Sequence, residues 1–122
     1  MKLFLTILAV VTLAFPLNGC TEDEFSLNAY KTLKTSYALY DAGMKACAAA
    51  ERQGIINGEQ RSRINGLASK FLDSYSLSVT ALYGYTVTRN TAKESVSAAI
   101  SAATKSLEEL LQQAYKMGVE VE

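Results

Sequence analysis

The 122-residue sequence predicts an all-α fold, in which three long helices form an up-down-up antiparallel bundle. Three observations support this prediction. Apolar residues recur every three or four positions in three separate segments, which is the spacing of one helix face. Short connectors separate the segments, and short connectors make neighbouring helices antiparallel. The single proline, Pro16, precedes all three segments, so no proline interrupts a predicted helix.

The first predicted helix covers residues 27–53, and Gly54 stands where a C-cap favours glycine. Thr21-x-x-Glu24 and Ser26 both offer a helix start. Its apolar stripe is Tyr30, Leu33, Tyr37, Tyr40, Met44 and Cys47. Because the spacings alternate between three and four residues, the whole stripe is expected on the inner face. Cys47 has alanine on both sides of its stripe position and is expected to pack in the core rather than react as a nucleophile.

The second predicted helix covers residues 58–88, and Asn57 is its expected N-cap. Its apolar stripe is Ile64, Leu67, Phe71, Tyr75, Ser78 and Leu82. Residues 74–88 have a second interpretation, because apolar and polar residues alternate there with the period of a β-strand. A lone strand leaves its backbone unpaired, and no other segment shows that alternation, so the helix is favoured. Gly84 is expected to weaken this helix near its end.

The third predicted helix covers residues 92–117. Thr91 and Glu94 match a capping box at its start, and Gly118 follows its last turn. Its apolar stripe is Val96, Ile100, Ala103, Leu107, Leu110, Ala114 and Met117. Residues 27–118 therefore make up the predicted bundle, and residues 119–122 form a short tail.

Residues 1–19 have the layout of a secretory signal peptide. Lys2 is followed by the apolar residues 3–15, which two threonines interrupt, and then by Pro16. This apolar stretch is shorter than the roughly 20 residues that a membrane-spanning helix needs. A positive start, a short apolar region and a small residue before the cut are typical of a cleaved signal. The bundle is therefore expected to follow a cleaved signal peptide.

The motif Leu17-Asn18-Gly19-Cys20 at the end of this region resembles the lipobox of bacterial lipoproteins. The resemblance covers residues 1–20 and implies cleavage between Gly19 and Cys20. It also implies a covalent lipid on the sulfur of Cys20 and a further acyl chain, such as palmitate, on the new amino end. Membrane lipid would then be the first partner of the mature protein.

The residues after the lipobox bear on location. Residues 20–26 are expected to be the lipidated cysteine and an acidic tether. Thr21, rather than Asp, follows Cys20, and this resembles the enteric lipoproteins that are delivered to the outer membrane. The acidic run Glu22-Asp23-Glu24 also resembles the surface-export tether of some other bacteria. The expected location is the bacterial cell envelope, with the outer membrane favoured in a Gram-negative organism.

The mature region carries a second, fainter resemblance over residues 28–85. The series is Tyr30-x-x-Leu33, Tyr40-Asp41-Ala42, Gly54-Ile55, Glu59-Gln60 and Phe71-x-x-x-Tyr75. It resembles small helical lipoproteins of bacteria and prophages. These are helix-packing residues, and the resemblance implies no activity.

Composition excludes several classes of site and function. The sequence has no histidine, so histidine-ligated metal sites and Ser-His-Asp triads are impossible. The 12 basic and 12 acidic side chains balance, whereas a nucleic-acid-binding domain normally carries a basic surplus. The acidic residues are spread over the predicted helices and form no general acid–base pair. The sequence therefore predicts a protein that is not an enzyme, with no metal and no cofactor other than the lipid at Cys20.

Six tyrosines form the candidate interaction surface: Tyr30, Tyr37, Tyr40, Tyr75, Tyr83 and Tyr85. Tyrosine suits interfaces because its ring is apolar and its hydroxyl is polar. The favoured hypothesis is a helical interaction or structural module whose tyrosine-bearing face docks an envelope protein or a second copy of the chain. One alternative is a carrier of a small apolar ligand in a tyrosine-lined cavity between helices. Another is a prophage-type envelope inhibitor or exclusion factor.

Overall fold

A computed structural model describes residues 22–120 of the chain, which form three α-helices. Helix α1 spans Glu22–Arg52, α2 spans Gly58–Tyr83 and α3 spans Lys93–Lys116. A π-helical turn, Gly84–Thr88, continues directly from α2 and leads into the connector to α3. No strand occurs in this described range, so the all-α prediction is confirmed.

The core residues fall into two clusters, one at each end of the bundle. One cluster joins the start of α1 to the start of α3, and it contains Phe25, Ala29, Leu33, Val96 and Ile100. The other joins the end of α1 to the start of α2 and the end of α3, with Phe71 and Ile64 completely buried in it. Helices α1 and α3 are therefore parallel and α2 is antiparallel to both, which confirms the up-down-up bundle.

The inner face of α1 differs from the predicted stripe. Tyr30 and Tyr37 are 57% and 44% exposed, whereas the smaller neighbours Ala29 and Ser36 are almost fully buried. The reason is the close approach of α1 to α3, which small side chains permit. At Gly43, an added Cβ would lie only 2.8 Å from Cδ2 of a leucine on α3. The helix therefore turns its small residues inward and leaves these two tyrosines at the edge of the core.

Helix α1 also begins earlier than the sequence predicted. It starts at Glu22 rather than at residue 27, so most of the predicted tether 20–26 is helical. The cause is Phe25, which is fully buried and makes an edge-to-face contact with Tyr85 at 5.2 Å between ring centroids. The Lys93 ammonium lies 4.9 Å from the centroid of the same ring. These contacts extend the folded part of the chain to within two residues of Cys20.

The predicted caps are confirmed at α2 and wrong at α3. At the start of α2, the Gln60 amide N–H donates to Asn57 Oδ1 at 2.8 Å, and the Asn57 amide N–H donates to Gln60 Oε1 at 2.9 Å. At α3 the N-cap is Ala92, whose side chain makes no capping bond. The Thr91 hydroxyl instead donates to Asn90 Oδ1 at 3.2 Å. The predicted capping box at α3 does not form because its threonine stabilises the connector.

Residues 74–88 are helical, as favoured above, but the last five form a π-helical turn. The hydroxyl of Ser78 donates to the Ser74 carbonyl at 2.8 Å, and that of Thr86 donates to the Leu82 carbonyl at 2.9 Å. The polar positions of the alternating pattern thus satisfy their hydroxyls within the helix. The predicted weakness at Gly84 corresponds to the change from α-helix to π-helical turn.

The predicted tail, residues 119–122, begins inside the folded bundle. Gly118 has the left-handed φ of 93° that suits glycine at a helix end. Val119 is 1% exposed, and its amide N–H donates to the Ala114 carbonyl at 3.0 Å. The core therefore includes the first residue of the predicted tail. None of the three helices is both long enough and apolar enough to cross a membrane.

Candidate interaction surface between helices α1 and α2

Three of the six predicted tyrosines meet between α1 and α2. Tyr40 stacks on Phe71 with centroids 5.0 Å apart, and Tyr37 lies 5.3 Å from Tyr75 and 5.7 Å from Tyr40. Phe71 and Tyr75 complete the group at 5.8 Å. Rings in this tilted and offset geometry attract one another beyond the effect of area burial. The aromatic cluster therefore joins the two helices while leaving the ring of Tyr37 partly open to solvent.

The other three tyrosines lie outside this cluster. Tyr85 is half-buried against Phe25, so its role is in packing the start of α1. Tyr30 and Tyr83 are each 57% exposed. The predicted surface thus divides into residues that hold the bundle together and residues that face solvent.

A groove of about 300 Å³ runs between the two helices beside the aromatic cluster. Its lining residues are Tyr30, Leu33, Lys34, Tyr37, Tyr75, Val79 and Leu82. The groove is open to solvent along the bundle surface and is not an enclosed cavity. Lys34 is the charged member of this lining, and the lining contains no acidic side chain.

The predicted interaction surface did not include three exposed apolar residues, one of which, Val79, lines this groove. Leu27 and Val87 are 52% and 60% exposed, and Val79 is 43% exposed. Leu27 stands three residues before Tyr30, and Val79 stands four before Tyr83, so each pair shares a helix face. The signal in the sequence was a second apolar stripe, in which Val79, Tyr83 and Val87 recur every four residues beside the predicted stripe of the second helix. We define the α1–α2 surface as Leu27, Tyr30, Tyr37, Val79, Tyr83 and Val87.

The titratable groups near the core favour packing over catalysis. Burial raises the pKa of the Cys47 thiol, and the nearby Arg61 only partly opposes this. The pKa of Tyr40 is also raised, chiefly by burial and further by Tyr37 and Asp41. A raised thiol pKa lowers the fraction of thiolate, which is the nucleophilic form. As predicted, Cys47 is 1% exposed and packs in the core.

A larger trough of about 800 Å³ lies at the opposite end of the bundle, beside the end of α1. Four of its nine lining residues are alanines: Ala42, Ala46, Ala49 and Ala50. Its lysine, Lys45, is bound to Asp41 at 2.8 Å. The trough has no aromatic lining, whereas three tyrosines line the groove.

The remaining predicted site residues, Gly19 and Cys20, lie outside the described residues. Within residues 23–120, no three side chains of the His, Cys, Asp or Glu type come together as a metal site. Comparison of the chain with protein-family models, curated proteins and solved structures finds no match.

Proposed function

We propose that this protein is a lipid-anchored lipoprotein of the bacterial cell envelope and acts as a non-enzymatic helical interaction module. The motif Leu17-Asn18-Gly19-Cys20 is the observation that carries the proposal, because it follows a positive start and a short apolar region. Cleavage after Gly19 would leave Cys20 as the lipidated first residue of the mature protein. With Thr21 next, the outer membrane is the expected destination in a Gram-negative organism.

The α1–α2 surface supports the interaction role. All six of its residues are exposed and apolar or aromatic, and three of them, Tyr30, Tyr37 and Val79, line the groove between α1 and α2. Exposed apolar patches of this kind, bordered by polar residues, mark interaction sites in soluble domains. Tyr37 also packs in the aromatic cluster, but 44% of it stays exposed, so the surface as a whole is open to a partner.

A second candidate function is the carriage of a small apolar ligand. The groove of about 300 Å³ favours it, because Tyr30, Tyr37 and Tyr75 give it an apolar wall with polar hydroxyls. Ligand pockets usually bury most of the ligand surface and occupy about 300–1,000 Å³. This groove is at the small end of that range and is open along its length, so the interaction role has the stronger support.

The experiment that tests the proposal compares the full-length chain with Cys20→Ser after expression in a bacterium that processes lipoproteins. We expect the wild-type chain to lose residues 1–19 and gain the mass of its acyl groups, and to fractionate with membranes. The Cys20→Ser chain should keep its signal and carry no lipid. Cys47→Ala is the matched control, because it removes the other cysteine and should leave lipidation unchanged. Normal processing and membrane retention of Cys20→Ser would disprove the proposal.

A further inference from the structure

We propose that the α1–α2 surface rests on the lipid headgroup layer of the membrane that holds Cys20, so that the bundle lies on this face. This inference rests on the proposed function, because it needs the lipid at Cys20. It names a lipid surface as the partner of the α1–α2 surface.

The first argument is the length of chain between the anchor and the bundle. Helix α1 begins at Glu22, so Thr21 alone separates Cys20 from the helix. Two residues reach no more than about 7 Å, even when they are fully extended. Acyl chains inserted in a bilayer would therefore hold the first turn of α1 at the level of the headgroups. The exposed side chains nearest the start of α1 are then the ones that can reach the lipid headgroups.

The second argument is which exposed apolar residues lie near that anchor. The contact between Phe25 and Tyr85 sets the start of α1 beside the π-helical turn. Leu27, Tyr83 and Val87 are therefore at the anchored end, and each is more than half exposed. From Leu27 the surface continues along α1 to Tyr37, a distance of about 15 Å at 1.5 Å per residue. The face adjoining the anchor is thus apolar over several helical turns.

The third argument is the chemistry of this face. Tyrosine is enriched at membrane–water interfaces, where its ring sits at the headgroup level and its hydroxyl stays hydrated. Lys31 and Lys34 are exposed on the same part of α1. Lysine stems can lie along apolar surface while their ammonium groups reach lipid phosphates. The combination of tyrosine, aliphatic side chains and lysine therefore fits a phospholipid interface.

The same lysines disfavour a second copy of the chain as the occupant. In a symmetric pair whose two-fold axis passes through the middle of the stripe from Leu27 to Tyr37, α1 would lie antiparallel to α1 of the other copy. Lys31 and Lys34 of the two copies would then come close together, and like charges repel. Lipid phosphates carry the opposite charge and attract these lysines, while they repel the exposed Asp23 and Glu24 at the start of α1.

The chain contains no tryptophan, so single tryptophans can report on each face separately. We would introduce Tyr37→Trp or Tyr83→Trp into the full-length protein and purify each lipidated product. The matched control is Leu77→Trp, because Leu77 is 67% exposed on α2 and does not line the groove. Each product would be placed in vesicles of phosphatidylethanolamine and phosphatidylglycerol, with or without brominated acyl chains.

We expect tryptophan at positions 37 and 83 to emit at shorter wavelength in vesicles and to lose intensity with brominated lipid. Tryptophan at position 77 should do neither. Equal quenching at all three positions, or quenching at none, would overturn the inference. A blue shift at 37 and 83 in native membranes without quenching in these vesicles would also overturn it, because a protein would then cover the surface.

The intact mass of each preparation distinguishes failure of the proposed function from failure of the membrane contact alone. If the mass shows no acyl group on Cys20, the proposed function fails and the membrane contact fails with it. If the protein is lipidated and tryptophan at 37 and 83 is not quenched, the contact fails while the lipoprotein assignment stands.

Discussion

Tyr40 on α1 stacks on Phe71 on α2, with ring centroids 5.0 Å apart and an interplanar angle of 23°. Phe71 is completely buried, whereas Tyr40 is half-buried at the edge of the same cluster. An aromatic pair of this kind adds about 0.5–1.5 kcal/mol beyond the area it buries. The contact therefore fixes α2 against α1, and Tyr40 belongs to the packing of the bundle rather than to its exposed surface.

Replacing Phe71 by Ala should lower the free energy of unfolding by about 3–5 kcal/mol, because it removes a buried ring and leaves a cavity. The neighbouring Leu72→Ala is the matched control, since Leu72 is 38% exposed and its loss should cost no more than about 1 kcal/mol. Urea unfolding followed by circular dichroism measures both. Similar losses for the two variants would contradict the assigned positions of these side chains.

Gly84→Ala should lower the free energy of unfolding, whereas Gly66→Ala should raise it. A Cβ on Gly84 would collide with the Thr91 side chain and lie 2.9 Å from Asn90 Oδ1. Overpacking at this site should cost about 1–3 kcal/mol. A Cβ on Gly66 would meet nothing within 4 Å, so alanine there should stabilise α2 by roughly 0.5–1 kcal/mol. Thermal unfolding shows whether each variant is more or less stable than the wild type. A stabilised Gly84→Ala variant would refute the close packing of the connector.

Asn57→Ala should destabilise the protein by about 1 kcal/mol, because it removes the acceptor for the Gln60 amide N–H at the start of α2. Asn65 provides the control, since its side chain accepts one exposed bond from Arg61 Nε at 3.1 Å in the helix interior. Alanine favours a helix interior, so Asn65→Ala should be neutral or slightly stabilising. Chemical denaturation distinguishes the two, and equal effects would count against the capping role.

Stability should fall at alkaline pH, in part because of Cys47. Burial raises the pKa of this thiol in the folded protein above its ordinary value of 9.0. The unfolded chain therefore loses the thiol proton first as the pH rises. The stabilisation is fully present below the pKa of the thiol in the unfolded chain and is lost as the pH rises through its pKa in the folded protein.

The measurement is the urea midpoint of wild type and Cys47→Ala between neutral and alkaline pH. The variant should be less sensitive to pH over this range, because it lacks the titrating thiol. The raised pKa of Tyr40 acts in the same direction at higher pH, and it is unchanged in the variant. An identical pH dependence in both proteins would show that the thiol does not contribute.

Local chemistry was sufficient to predict several features from the sequence. The α3 stripe from Val96 to Ala114 is buried as its spacing indicated, because its apolar residues are regularly placed along one face of the helix. Asn57 and Gln60 form their reciprocal cap, and Gly54 takes the left-handed φ of 76° expected after α1. Each of these depends on neighbours within about one turn of helix. The motif at Cys20 is likewise local, although its lipid stays a prediction.

The sequence by itself determined the number of helices, their order and their antiparallel course, since periodicity and connector length depend on local residues. Only the tertiary structure decided which face of α1 turns inward. Gly43 allows Leu111 to approach closely, and this packing rotates Tyr30 and Tyr37 toward solvent. It also decided where the folded chain begins, because burial of Phe25 against Tyr85 requires contacts between residues far apart in sequence. Hydrophobic spacing alone cannot decide whether a tyrosine or the adjacent alanine faces the core, because the answer depends on how closely another helix approaches.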